Sequence, residues 1–440
     1  VTGLTLEGAG VLQPDGKRVL VPDALPGETI DYLVTRRRPK YDEGRLLAVV
    51  TPSPDRVVPP CEYFGRCGGC ALQHLAPAAQ LAAKEATLLE SLARIGGVAP
   101  RRVLPPVAGA TLGYRRRVRF AARDVAAKGR VLVGFHERER PYVMDMGHCA
   151  TAHPAIAALL GPLSLLAGNL SFRHRLPQFE LTVADNALAV VVRALLEPTT
   201  ADRARLAAFA GEHATAALPL RLFLAAGTGH VLEPLGEAPG GSVPEPLHYA
   251  LPAYGLRFAF GPTDFIQVHA GVNAAMVAQA LAELGPTPAD AVLDAFAGIG
   301  NFSLPVAQRA ARVVALEGAG PAVDWARHNA TAAGLGNVEC VVADLAGAGA
   351  AGAWTRERFR LAILDPPRAG ARELLAPLAG TGVERLVYVS CHPGTLARDA
   401  GILATEHGFV LEAAGVLDMF PQTSHVESMA VFARGGGLRP

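Results

Sequence analysis

The pattern of hydrophobic and polar positions changes twice along the chain. Residues 1–55 carry short β-like runs at 17–21, 29–34 and 45–50, broken by the turn signals Gly8-Ala9-Gly10, Pro14-Asp15-Gly16 and Leu25-Pro26-Gly27. Roughly five strands in so short a stretch predict a small closed barrel, a shape that leaves no strand edge unpaired. Pro52, Pro54, Pro59 and Pro60 read as a linker, and 77–94 has helical periodicity. Strand-like runs at 130–135, 179–183, 188–192 and 221–225 then alternate with loops, which predicts a mixed α/β central unit. From about residue 261 a helical segment at 273–284 leads into apolar runs at 291–295, 312–317, 338–343, 361–364 and 385–390, with helical segments between them. Continuous apolar strands alternating with helices predict a buried parallel sheet covered on both faces, with ligands bound beyond the carboxyl ends of its strands. The expected organisation is a multidomain α/β protein. It has an N-terminal β-barrel over 1–55, a mixed central domain over 56–260 and a Rossmann-like domain over 261–440.

Composition agrees with this reading. The 440 residues exceed one ordinary core, and 50% hydrophobic with 18% charged residues is globular composition. No uninterrupted apolar run of about 18 residues suggests a membrane span, and no signal peptide opens the chain, which begins at Val1. A cytoplasmic monomer is the expectation. The net charge of +1 does not point to nucleic acid, but its distribution does: Arg94 to Arg140 holds twelve Lys or Arg against Asp124, Glu137 and Glu139. Within it, Tyr114-Arg115-Arg116-Arg117-Val118-Arg119-Phe120 interleaves basic and aromatic side chains. Phosphate pairing with base stacking is one reading of that segment, and a solvated basic strand is the other.

Candidate chemistry gathers at the carboxyl ends of the predicted strands. The first ends in Asp294-Ala295-Phe296-Ala297-Gly298-Ile299-Gly300-Asn301, where glycines let a ligand approach the backbone. The next ends in Glu317, placed to take both hydroxyls of a ribose, and the third leads to Asp344, where adenine would lie. A dinucleotide would use Glu317 equally well, but GxGxxG is absent and Asp294 would repel a pyrophosphate. S-adenosylmethionine is therefore favoured. The fourth strand ends in Asp365-Pro366-Pro367-Arg368. Arg368 stands where enzymes that methylate exocyclic amines place an aromatic. The fifth delivers Ser390-Cys391-His392-Pro393. A thiolate, partly ionised near neutral pH, suits addition to carbon 6 of a uracil, which makes carbon 5 nucleophilic toward a methyl donor. A base must then remove the carbon-5 proton. Glu427, at the start of the apolar run 429–432, is a candidate if burial raises its pKa; a surface Glu at a strand start is the plain alternative. For Cys391 the plain alternative is a buried structural cysteine.

Cys61-x5-Cys67-x2-Cys70, with Cys149 as a fourth thiol 79 residues on, forms a compact cluster. Four thiolates can hold Zn²⁺ or a [4Fe–4S] cluster. Spacing alone leans slightly to zinc, and disulfides are disfavoured in a reducing compartment. Cys340 lies within an apolar strand and reads as core.

Together these segments resemble the RNA uracil-5-methyltransferase family, in particular its branch acting on 23S ribosomal RNA. The likeness runs through Phe265-Ile266-Gln267-Val268, the stretch 294–304, Asp365–Arg368, Ser390-Cys391-x-Pro393-x-Thr395-Leu396-Ala397-Arg398-Asp399 and Asp418-Met419-Phe420-Pro421-x-Thr423-x-His425-Val426-Glu427. The resemblance implies cofactor contacts from Gln267, Phe296, Asn301, Glu317, Asp344 and Asp365, with Asp365 also near the target base. It makes Cys391 the nucleophile and Glu427 the base. It further implies a TRAM domain, an oligonucleotide-binding barrel, over 1–55, and a [4Fe–4S] cluster held by Cys61, Cys67, Cys70 and Cys149 as a structural clip. Two positions depart from the family pattern: His392 and His269 stand where Asn is usual. A tRNA uracil methyltransferase and a non-catalytic iron–sulfur RNA-binding or assembly factor are the alternative functions.

Overall fold

The structure is a computed structural model and describes residues 1–227, 231–235, 245–347 and 352–435. At the N-terminus five strands form one sheet, Gly3–Leu4, Gly10–Leu12, Arg18–Val21, Tyr41–Thr51 and Thr29–Arg37 in spatial order. No ladder joins the two outer strands among the described residues. Their ends meet only near Val1, whose amino group donates to the Glu28 carbonyl at 2.8 Å and whose carbonyl accepts from Gly27 at 2.9 Å. The core beneath is small and centres on Val19, Val21 and Ala24.

The central unit is a six-stranded sheet, in the order Glu233–Leu235, Leu220–Ala226, Leu188–Ala194, Gln178–Val183, Arg117–Val125 and Arg130–Gly134. Its central strands Gln178–Val183 and Leu188–Ala194 are buried almost throughout, as strands covered on both faces are, whereas Arg117–Val125 alternates in part between buried and open positions. Phe120, Phe179 and Val190 meet Leu163 of helix Leu160–Gly168 and Leu206 of helix Thr200–His213 in one core.

The largest sheet has eight strands, ordered Val338–Val342, Arg312–Glu317, Ala291–Ala295, Leu361–Leu364, Arg385–Ser390, Glu427–Arg434, Phe409–Leu417 and Arg102–Val103. The first five are parallel. The strand order reverses between Ala291–Ala295 and Leu361–Leu364, which opens a crevice at their carboxyl ends. The sheet is not parallel throughout, contrary to the expectation from its apolar runs: Glu427–Arg434 runs antiparallel to both of its neighbours. The connection explains this. Nine residues separate Leu417 from Glu427, and a parallel return needs a crossover of about a dozen or more.

Packing also draws the boundary of this unit differently from the linker signals. Helix Pro77–Arg94 places Leu88 and Leu92 in the same core as Tyr388, Leu396 and Phe409. The hairpin Leu247–Leu251 and Leu256–Phe260 shares a core with Val272 and Met276 of helix Ala270–Leu284. Residues 77–103 and 247–260 thus pack as parts of the C-terminal unit, although both precede residue 261.

Helix Pro77–Arg94 ends against helix Pro393–His407 at a close approach of backbones. A Cβ added at Gly401 would lie 2.7 Å from the Gly96 carbonyl oxygen, a backbone atom that cannot rotate away. Gly401→Ala should therefore destabilise the protein by about 1–3 kcal/mol, measured as a lower denaturant midpoint, whereas a helical Gly with free space would gain stability from the same change.

Candidate active site

The crevice is bordered by the loop after Ala291–Ala295, which turns sharply: Phe296, Gly298 and Gly300 all have left-handed backbones, at φ 64°, 56° and 96°. Glycine takes this conformation freely, but Phe296 does so at a steric penalty, as residues at functional loops often do. A Cβ at Gly300 would sit 2.5 Å from Leu304 Cδ1, so the loop closes tightly onto the helix below it. Glu317 is held at the crevice edge by the backbone N–H groups of Gly298 at 3.0 Å and Ala319 at 2.8 Å. Both carboxylate oxygens are thereby oriented, leaving their remaining lone pairs for a diol.

Asp294 is buried beneath this loop and accepts from the Ser303 hydroxyl, while its other oxygen has no hydrogen-bond partner. Burial pushes its pKa up to about 7, and the negative charges of Asp365 and Glu317 push the same way. Asn301 is tied into a network that local sequence did not signal: Oδ1 accepts from Tyr249 at 2.8 Å and from Asn273 at 3.0 Å, and Nδ2 donates to Asn273 at 2.9 Å. One amide hydrogen of Asn301 remains for a ligand. Gln267 Nε2 lies 3.5 Å from Asp365 Oδ2 across the crevice. Asp344 is exposed at the far side and caps its own loop by accepting from Ala346 N–H at 3.0 Å.

Cys391 and Glu427 come together through strand register. Ser390 pairs with Ser428 in the antiparallel ladder, so the residue leaving one strand faces the residue entering the other. The Ser390 and Ser428 hydroxyls fix this junction: Ser390 Oγ accepts from His392 N–H at 3.2 Å, and Ser428 Oγ donates to the Ser390 carbonyl at 3.3 Å. Glu427 is 5% exposed, which removes the surface-Glu alternative. Burial, and secondarily the charge of Asp365, raise its pKa to about 8. Asp365 is raised to about 7 by burial. The thiol does not match the expectation of partial ionisation near neutral pH. Burial together with the facing Glu427 and Asp365 charges pushes Cys391 up to about 11, against a smaller opposite pull from Arg368.

His392 and His269, the two departures from the family pattern, have one structural explanation. His392 is the N-cap of helix Pro393–His407, and its Nδ1 accepts from Thr395 N–H at 3.2 Å. His269 is the N-cap of helix Ala270–Leu284, with Nδ1 accepting from Val272 N–H at 3.3 Å and Nε2 lying 3.0 Å from the Ala110 carbonyl. In each, an imidazole nitrogen stands where an Asn side-chain oxygen would cap the helix. The segment Thr395–Asp399 clamps the Asp365–Arg368 loop from the same helix. Thr395 Oγ1 donates to the Arg368 carbonyl at 3.1 Å, and Asp399 accepts from Ala371 N–H at 2.8 Å and Tyr388 Oη at 2.7 Å.

The four clustered cysteines line one small enclosed cavity with Phe64, Phe135 and Met146. Cys67 and Cys70 are raised by burial, Cys70 to about 11, with the neighbouring thiolates acting in the same direction. Among the described residues, no three His, Cys, Asp or Glu converge on a position for a single metal ion. Cys340 is buried core. The basic segment is divided: Tyr114, Arg117, Val118 and Phe120 are buried, Arg115 and Arg116 are half-buried, and Arg119 is exposed. Tyr114 is buried, stacks on His269 at 4.9 Å and donates to the Pro421 carbonyl at 2.9 Å. Arg117 is buried and donates to the Thr263 carbonyl at 2.6 Å, and Arg119 pairs with the buried Glu180 at 3.3 Å.

A reversed-order α/β sheet with a glycine loop at its switch point and a thiol–carboxylate pair beyond its carboxyl edge defines a methyltransferase-like enzyme. The family model described as tRNA (Uracil-5-)-methyltransferase matches residues 252–434. A 23S rRNA (uracil(1939)-C(5))-methyltransferase RlmD of Alkalilimnicola ehrlichii is 46% identical over 438 residues, spanning 99% of this chain and 96% of that protein. Its counterpart of the same name in Methylococcus capsulatus is 44% identical over 431 residues, spanning 97% and 95%. The fold is that of the Pyrococcus abyssi tRNA (uracil-54, C5)-methyltransferase solved with S-adenosyl-L-homocysteine. The TM-score is 0.73 and the identity 23%, with 98% of this chain and 99% of that one covered. The chain belongs to the RNA uracil-5-methyltransferase family.

His392→Asn should keep both cap and activity, whereas His392→Ala should lose about 0.5–2 kcal/mol of stability and slow turnover by loosening the helix that follows Cys391. Thermal denaturation and single-turnover rates of the two variants separate these outcomes.

Proposed function

We propose that this protein methylates carbon 5 of a uracil in 23S ribosomal RNA, with S-adenosylmethionine as methyl donor, Cys391 as nucleophile and Glu427 as base. The observation that carries this reading is the Ser390–Ser428 register, which sets a buried carboxylate beside a thiol at the mouth of the crevice. Whole-length relatives named for 23S rRNA favour that substrate over tRNA.

Glu317 suits the ribose hydroxyls of the donor. Gln267, Phe296, Asn301, Asp344 and Asp365 line the path from methionine to adenine. S-adenosylmethionine, when bound, supplies an electrophilic methyl group on a cationic sulfur, and its charge would ease ionisation of the three raised carboxyls around it. The half-buried Cys391 thiol loses its proton to water at the mouth of the crevice as its sulfur adds to carbon 6 of a uracil turned into the site, which leaves Glu427 free for the later step. The electron pair of the 5,6 double bond moves toward carbon 5 and O4, and carbon 5 takes the methyl. Glu427 then removes the carbon-5 proton, the double bond re-forms, and the carbon-6–sulfur bond breaks to return the thiolate.

The remaining features fit the same assignment. The N-terminal sheet, residues 1–55, is assigned as a TRAM domain that grips RNA, with 56–260 as the central domain, apart from the segments 77–103 and 247–260 that pack with 261–440 in the methyltransferase domain. The cavity of Cys61, Cys67, Cys70 and Cys149 is assigned to a [4Fe–4S] cluster. Four thiols lining one cavity are the donor set such a cluster takes, and their spacing is the one the family resemblance implies. Uracil methylation needs no electron, so the cluster acts as a clip. Six free cysteines fit a reducing cytoplasm, and a monomer suffices because one chain supplies both halves of the site.

RNA carrying 5-fluorouracil should form a covalent adduct with the wild-type protein, because fluorine cannot leave as the proton does. Cys391→Ala should form none, and Glu427→Gln should accumulate adduct on ordinary RNA; a wild type without adduct, or an undiminished Cys391→Ala adduct, overturns the assignment. The pH dependence has a definite sign. Glu427 is raised, so its base form is lost as pH falls through about 8. Tritium release from 5-tritiated uracil, followed as kcat/KM, should accordingly fall as pH drops through about 8, and with Cys391 pushed up to about 11 it should keep rising above pH 8.

A further inference from the structure

The loop from Leu417 to Glu427 is buried and irregular, and its backbone polar groups find partners in three other segments. Three consecutive carbonyls are held from outside the loop. Phe420 O accepts from Lys84 Nζ at 3.0 Å, Pro421 O from Tyr114 Oη at 2.9 Å, and Gln422 O from the N–H groups of both Ala71 and Leu72 at 3.0 Å. Lys84 also pairs with Asp418 at 2.7 Å. Gln422 stands at the centre of this arrangement. Its N–H donates to Gln80 Oε1, and Gln80 Nε2 donates to Gln422 Oε1, each at 3.0 Å, a reciprocal amide pair inside the protein. Gln80 Nε2 also reaches Leu72 O at 3.0 Å and Leu75 O at 2.8 Å, so it binds the stretch after Cys70 as well.

Gln422 is 4% exposed and has φ 69°. A non-glycine residue held in the left-handed region costs of order 1–3 kcal/mol and persists only where its surroundings over-determine it. What over-determines it is the residue pair directly following Cys70, through a carbonyl five residues before Glu427. The segment between is stiffened by Thr423 Oγ1 donating to Phe420 O at 2.9 Å and accepting from His425 N–H at 3.3 Å. The nucleophile has separate supports: its own strand, the Ser390 hydroxyl and the His392 cap.

We propose that Gln422 is a positioning residue that couples the four-cysteine loop to the base Glu427, so that order in that loop sets the position of the base and not of the nucleophile. The coupling rests on the uracil-methylation reading for its kinetic form. With the loop intact, Ala71 and Leu72 hold Gln422 and the Glu427 carboxylate stays beside Cys391. With the loop loosened, Cys391 still adds to carbon 6 and carbon 5 still takes the methyl. The carbon-5 proton is then not removed, the carbon-6–sulfur bond does not break, and enzyme–RNA adduct accumulates.

The test compares full-length wild type, Gln80→Leu, Cys70→Ala and the double variant. In Gln80→Leu, adduct formation with 5-fluorouracil RNA should stay within about twofold of wild type, while tritium release falls by about tenfold or more and adduct builds up on ordinary RNA. Cys70→Ala should show the same split, and the double variant should be little worse than either single one. Independently of activity, amide hydrogen exchange over 418–427 should quicken in Cys70→Ala and stay slow over 385–392. A parallel fall of both kinetic steps, or unchanged exchange over 418–427, overturns the coupling. If Gln80→Leu fails to fold, Gln422→Gly reads the same split in weaker form, because glycine takes this φ without strain and loses only the bond from Gln80 Nε2 to the Gln422 side chain, keeping the backbone N–H bond to Gln80 Oε1. A wild type that forms no fluorouracil adduct would instead sink the uracil reading, and the exchange measurement would still decide the mechanical coupling.

Discussion

The last strand of the catalytic sheet enters against the direction of its neighbours, and the site depends on that reversal. A parallel strand brings its final residues to the carboxyl edge of a sheet; an antiparallel strand brings its first. Inserting Glu427–Arg434 between Arg385–Ser390 and Phe409–Leu417 therefore carries the start of one strand to the end of another. Cys391 and Glu427, 36 positions apart in the chain, are brought to the same edge by ladder geometry, without a long loop. The enclosure that makes this junction chemically useful also opposes charge. Glu427, Asp365 and Asp294 are all pushed toward their neutral forms, and the thiol is pushed toward its own. Such a pocket holds its three carboxyls close to exchanging protons near neutral pH, at some expense of stability in their charged forms.

Local pattern disclosed the parallel part of this sheet well. The apolar runs at 291–295, 312–317, 361–364 and 385–390 coincide with strands, because a strand buried on both faces needs no polar positions. It did not disclose Phe409–Leu417, where Glu412 and small residues leave no clean strand signature, nor the direction of Glu427–Arg434. Helix Pro77–Arg94 was legible as a helix, but its partners were not, since Leu88 and Leu92 meet Leu396 and Phe409 only across most of the chain. The chemistry of Cys391 and Glu427 could be argued from residue type, and their approach could not, because register is a property of pairing. The ionisation of the thiol was misjudged for the same reason: the carboxylates that oppose it come from two other strands.

The basic segment and the two histidines show how residue identity misleads without geometry. Tyr114 and Arg117 are turned inward to carbonyls and a histidine ring, so two members of the interleaved segment are packed inside the protein, while Arg119 stays exposed with its guanidinium beside the buried Glu180. His392 and His269 look like chemical departures beside a nucleophile and a cofactor strand. Both are helix caps, in which an imidazole nitrogen does what an amide oxygen would.

The long-range joinery of the catalytic sheet also bears on how the chain is made. Arg101 pairs with Glu412 across 311 positions, and the neighbouring edge strand Arg102–Val103 lies along Phe409–Leu417. During synthesis, helix Pro77–Arg94 and that strand emerge early and wait, with Leu88 and Leu92 uncovered, until almost the entire polypeptide has left the ribosome. The strand that completes the sheet is the last to arrive, and it must slide between two others. A topology so rich in distant contacts folds slowly and keeps apolar surface exposed in the interval, which makes nascent chains of this protein natural clients for chaperones.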